Sequence, residues 1–84
     1  MQVPVIRHIY VRRKEGKEVP LRKTFDFPVV PGPGWEIRVD EGRILEVARV
    51  IVGDGAVEAV HCNPEKQESE ALVQRLKDEG WVDK

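Results

Sequence analysis

From Val19 to Phe27 the chain alternates: Val19, Leu21, Phe25 and Phe27 fall on one phase, and Pro20, Arg22, Thr24 and Asp26 on the other. A period of two places successive side chains on opposite faces of a strand. Lys23 occupies the apolar phase of this run, which predicts either a bulge or a lysine stem lying along the rim with its amine in water. Upstream, Val3, Val5, Ile9 and Val11 share one phase while Ile6, His8 and Tyr10 share the other. Both faces are partly apolar, so this strand is predicted to be covered on parts of both sides, with Pro4 favouring an edge or the strand's first residues. Residues 12–18 between the two runs are polar and contain Gly16, the pattern of a hairpin loop.

Pro28 to Gly34 lacks three backbone donors, at Pro28, Pro31 and Pro33, and reads as an irregular loop. Trp35, Ile37 and Val39 then alternate with Glu36 and Arg38, a short half-buried strand. Asp40-Glu41-Gly42 turns the chain into the long apolar run 43–52. There Leu45 and Val47 hold one phase and Val50 and Val52 the other, a change near Ala48-Arg49 that a β-bulge or sharp bend produces. Gly53-Asp54-Gly55 is a second turn, and residues 56–62 are a fifth strand. Asn63-Pro64 has the form of an N-cap and first helical residue. Glu65, Glu68 and Glu70 suit the positive end of a helix dipole. Leu72, Val73 and Leu76 form an apolar stripe, and Gly80 fits the position just past the helix, with Trp81 folding back on Leu76 in a Schellman stop. The prediction is a β-rich unit over 2–62 and a helix over about 64–79, all in a single domain of 84 residues.

Charge changes this picture only locally. The net charge of −1 divides unevenly. Residues 1–24 hold seven basic and two acidic residues, +5; residues 25–62 hold three and seven, −4; residues 63–84 hold four and six, −2. A single cysteine, Cys62, allows no internal disulfide, although secreted domains this small usually need such staples. The N-terminal run is interrupted by Arg7 and His8 and lacks a small-residue cleavage site, so it does not read as a signal peptide. No run approaches the roughly 20 apolar residues of a membrane span. The expectation is a cytoplasmic chain with no membrane partner.

Phe27-Pro28-Val29-Val30-Pro31, then Gly34 and Ile37, then Gly42-Arg43-Ile44-Leu45-Glu46-Val47 and Val50 resemble small SH3-like β-barrel proteins of bacteria and phages. The resemblance covers residues 27–52 and rests on turn and core positions. Pro33 is an extra proline, and Trp35 stands where an acidic residue is usual. The resemblance implies a fold and carries over no functional residue. With it, the fold class is α+β and mainly β: a five-stranded SH3-like barrel or strongly bent antiparallel sheet with one C-terminal helix.

The chemistry-bearing residues are few. His61 and Cys62 are neighbours on a strand and face opposite ways, so they do not make a nucleophile–base pair, and Cys62 reads as a small buried hydrophobe. Two histidines and one cysteine without ligand spacing argue against a metal site. With one serine, Ser69, and one threonine, Thr24, no catalytic set is assembled. The sequence predicts a non-enzyme with no cofactor. Two functions remain. One is an interaction module that binds a protein partner or self-associates through Trp35, Tyr10, Pro31 and Pro33. The phase that Trp35 shares with Ile37 and Val39 argues for the core, and the adjacent proline loop argues for a rim. The other is weak, sequence-insensitive nucleic-acid binding by Arg12, Arg13, Lys14, Lys17 and Arg22 on the first hairpin.

Overall fold

The computed structural model describes residues 1–11, 17–39, 42–67 and 70–84. Its strands are β1 (Gln2–Val11), β2 (Lys17–Asp26), β3 (Glu36–Arg38), β4 (Ile44–Gly53), β5 (Ala56–Cys62), β6 (Glu65–Gln67) and β7 (Val82–Asp83), with one helix, α1 (Ala71–Asp78). The chain is therefore mainly β with one short C-terminal helix. The strand order is β3-β4-β5-β1-β2-β7, and β6 also pairs with β1.

This corrects the expected architecture in three ways. Seven strands are present among the described residues, not five, and no pairing joins β3 to β7, so of the two forms expected, a barrel or a strongly bent sheet, the barrel is not formed. The sheet is mixed, because β1 runs antiparallel to β2 but parallel to β5 and β6. Finally, β1 is central, and of the two settings open to Pro4, an edge or the strand's first residues, the second is the one found. Pro4 is accommodated because parallel pairing with β5 begins one residue later, at Val5.

The third correction explains the helix. Glu65–Gln67 was expected in its first turn and is instead strand β6. Along β1, Val5 faces Val60 and Ile9 faces Glu65, so four steps on β1 match five on the β5–β6 segment. One residue is therefore extra around Cys62-Asn63-Pro64, the condition of a bulge, where a proline without an N–H is tolerated. Asn63 does not cap a helix. Its N–H donates to the Glu46 carbonyl at 2.9 Å and its Nδ2 to Glu46 Oε1 at 2.6 Å. The helix starts at Ala71 instead. Its end follows the sequence reading: Gly80 has φ 102°, its N–H donates to Lys77 O, and the Trp81 N–H donates to Leu76 O. Those two bonds define a Schellman stop.

One face of the sheet carries the core. Val3, Val5, Ile9 and Val11 of β1, Leu21 of β2, Leu45 and Val47 of β4 and Val60 and Cys62 of β5 are buried together with Val73, Leu76 and Trp81 from the C-terminal segment. The predicted phase change in β4 is a register shift between Val47 and Arg49. Lys23, the misfit in β2, reaches across this face and donates from Nζ to the Glu79 carbonyl at 2.7 Å. It thus satisfies an orphan acceptor at the helix C-terminus, where a cation is also favoured by the dipole.

Candidate functional site

The first candidate grows from the loop before β3. Gly34 turns the chain at φ 86° and its N–H donates to Val47 O, while the Val47 N–H donates to Trp35 O. The backbone of Trp35 is therefore tied to β4, but its side chain does not follow Ile37 and Val39 inward. The indole lies over Gly32, its Nε1 3.5 Å from where a Gly32 Cβ would stand. Trp35 is 52% exposed. Of the two positions open to it from sequence, the structure places it at the rim. With Phe27, Pro28, Val29, Pro31 and Ile37 it lines a groove of about 330 Å³, flanked by the charges of Glu36 and Arg38. β3 has β4 on one side and, among the described residues, is the last strand of the sheet on the other.

Of the other predicted partner-binding residues, Pro31 joins the groove and is itself buried. Pro33 is exposed and does not line it. Tyr10 is half-buried on β1, opposite Glu18 and Lys66, and is not brought to the groove. In the predicted nucleic-acid set, Arg12, Arg13 and Lys14 and the side chain of Lys17 lie outside the described residues. Arg22 is exposed on the open face of the sheet.

Two polar clusters are not evident from spacing alone. On the covered face Arg7 is fully buried, and it donates from Nε and Nη2 to the two carboxylate oxygens of Glu65 at 2.8 and 2.7 Å. This is a two-point guanidinium–carboxylate pair. Arg43 adds a contact to Glu65 Oε1 at 3.1 Å, and the Arg7 guanidinium stacks 5.1 Å from the centre of the Trp81 ring. The signal was present in the sequence, since Arg7 sits in the same phase as Val5 and Ile9. A charge there needs a buried partner.

On the open face the two histidines meet. His8 Nδ1 bonds to the Glu18 carboxylate, and His8 Nε2 lies 2.9 Å from His61 Nδ1. Burial first, and then the positive charges of His8, Lys84 and Arg49, hold the His61 pKa below its ordinary value of 6.5. Cys62 points the other way, into the core. Burial, followed by the Glu65 charge, pushes its thiol up to about 11, with Arg7 pulling slightly in the opposite direction. It is inert at neutral pH.

Among the described residues no set of three His, Cys, Asp or Glu is arranged to hold a metal ion. No helix there is long and apolar enough to cross a membrane. Comparison with protein-family models, curated proteins and solved structures gives no match for this chain. The site is therefore read from its own geometry.

Proposed function

We propose that the chain is a non-enzymatic interaction module that takes an extended peptide segment of a protein partner along the β3 edge. One observation carries the reading. Trp35 stands half-exposed in an apolar groove directly beside the free edge of a sheet. Edge strands carry unpaired main-chain groups, and an added peptide strand satisfies them while an adjoining pocket reads its side chains. Val39 spends its N–H on Arg43 O, so strand alternation turns the main-chain groups of Arg38 outward. Tryptophan suits the role of anchor because it offers a large, rigid area with one polar handle. Glu36 and Arg38 supply one charge of each sign for selecting partners. The whole groove lies within residues 27–52, the stretch that resembles SH3-like proteins, which often bind peptides at such a rim. A single cysteine that has no partner for an internal disulfide is consistent with a cytoplasmic setting.

The test is selection from a random peptide library on the immobilised chain, run in parallel on Trp35→Ala. The expected result is a family of peptides with an apolar residue at a fixed position, enriched on the parent and lost on the variant. Enrichment that survives Trp35→Ala, or none at all beside measurable RNA binding at low salt, would overturn this reading in favour of the basic hairpin.

A further inference from the structure

The open face of the sheet holds a second concavity, unrelated to the groove. Arg22, Ile6 and His61 line it and belong to one cross-strand row that continues to Arg49. Arg22 on β2 faces Ile6 on β1, Ile6 faces His61 on β5, and His61 faces Arg49 on β4. Ile51 and Ala59, themselves a cross-strand pair, form an apolar wall, and Lys84 closes one end, held by its N–H to Pro20 O at 3.2 Å. The cleft measures about 260 Å³, just below the range usual for small-molecule sites. Among the described residues the one acidic side chain lining it, Glu58, has a carboxylate oxygen 2.4 Å from where a Gly53 Cβ would stand. That carboxylate is therefore drawn toward the β4–β5 turn.

His61 is only 3% exposed, and its Nε2 has no protein partner among the described residues. The chain of contacts fixes what that nitrogen offers. When His8 is neutral, the Glu18 carboxylate, which only accepts, keeps the proton on His8 Nδ1, and His8 Nε2 presents a lone pair. His61 Nδ1 must then donate to it, which leaves a lone pair on His61 Nε2. The cleft therefore combines cations that attract an anion with an acceptor that repels one unless the anion brings its own proton.

We propose that this cleft binds a hydrogenphosphate group, with Arg22 and Lys84 neutralising its charge and His61 Nε2 accepting a hydrogen bond from its protonated oxygen. The group is either free inorganic phosphate or a singly protonated phosphate monoester whose carbon body lies on Ile51 and Ala59. Sulfate has the same shape without the proton, so it discriminates the chemistry. The depressed pKa of His61 agrees with this assignment, because the ring stays neutral and accepting at neutral pH.

The experiment is NMR titration of the full chain at about pH 8 and constant ionic strength, with inorganic phosphate and with sulfate. Near that pH inorganic phosphate still carries a proton, while a monoester, with a second pKa of about 6, has lost it. Phosphate is expected to shift the His61 ring and the Ile51 and Ala59 amides. Sulfate should bind about tenfold more weakly, the worth of one hydrogen bond. The exposed pair Arg22→Gln with Lys84→Gln should abolish the shifts while the spectrum elsewhere stays unchanged. Repeating with phenyl phosphate at about pH 6, where it regains a proton, separates the sources. Tighter binding than inorganic phosphate identifies a monoester, and equal or weaker binding identifies the free ion. Equal affinity for phosphate and sulfate at the higher pH, no shift at His61, or undiminished binding by the double variant would overturn the proposal. None of these outcomes bears on the Trp35 groove.

Discussion

The two faces of the sheet pair their ionisable side chains differently. On the covered face Arg7 is fully buried and both oxygens of Glu65 meet it, with Arg43 and the Trp81 ring alongside, although the Trp81 Nε1 is itself buried without a hydrogen-bond partner among the described residues. On the open face the chain from Glu18 through His8 to His61 ends in a nitrogen with no protein partner among the described residues, beside a cleft. The edge at β3 is unfinished in the same sense, with an exposed indole and an unpaired strand side. A buried ion pair is weak evidence of net stability, because desolvation offsets most of the attraction, but it fixes one arrangement and penalises its loss. The closed cluster specifies where the C-terminal segment docks. The unfinished places are where the molecule can take something from outside.

The sharpest way to break this contrast is Glu65→Ala, which leaves the Arg7 guanidinium buried and short of its main counter-charge. It should cost about 3–5 kcal/mol, a large part of the stability available to a domain of this size. A urea midpoint close to that of the parent chain would show that water reaches Arg7 and that the covered face is not closed. Next comes Leu76→Ala. Leu76 is fully buried, and its truncation should cost about 2–4 kcal/mol. No change in midpoint would make α1 a detachable arm instead of part of the core. By contrast, Trp35→Ala at the open edge should alter stability by less than about 1 kcal/mol, with the dispersion of the NMR spectrum preserved.

The smallest effect concerns pH. The unfolded chain takes up a proton on His61 near its ordinary value of 6.5, and the folded chain does so only at a lower pH. The unfolded state therefore binds more protons between those two values. The His61 contribution is complete above the ordinary value, declines as pH falls through that window, and levels off below the folded pKa. Urea midpoints measured from about pH 8 down to about pH 5 should show this decline. The part due to His61 should vanish in His61→Asn. A decline of the same size in that variant would assign it to other groups.

Much of the fold was legible because local rules and tertiary context agree. The alternation in β2, the phase change at Ala48-Arg49, the inward Cys62 and the stop at Gly80-Trp81 all follow from period, turn chemistry and capping, which act over a few residues. What sequence reading missed lies in long-range pairings. Nothing near Asn63-Pro64 reveals that Glu65 is required by Arg7, 58 positions away, and so a good helix start is overridden by a strand. Parallel pairing of β1 with β5 and β6 brings His8 beside His61, and no spacing rule signals that meeting. Two hints were available, namely Arg7 and Lys23 in apolar phases. Each marks a place where a distant acceptor had to exist. Trp35 shows the reverse case: its phase pointed inward, but it precedes β3 and follows a positive-φ glycine, so the strand period does not yet govern it.

The most direct test of the interaction reading is amide hydrogen exchange across the sheet, with and without a peptide recovered by selection on the chain. The account predicts that the peptide slows exchange at the outward amide of Arg38, shifts the Trp35 indole N–H, and leaves β7, the other end of the sheet, unchanged. Protection spread over β7 or the open face with β3 unaffected would contradict it.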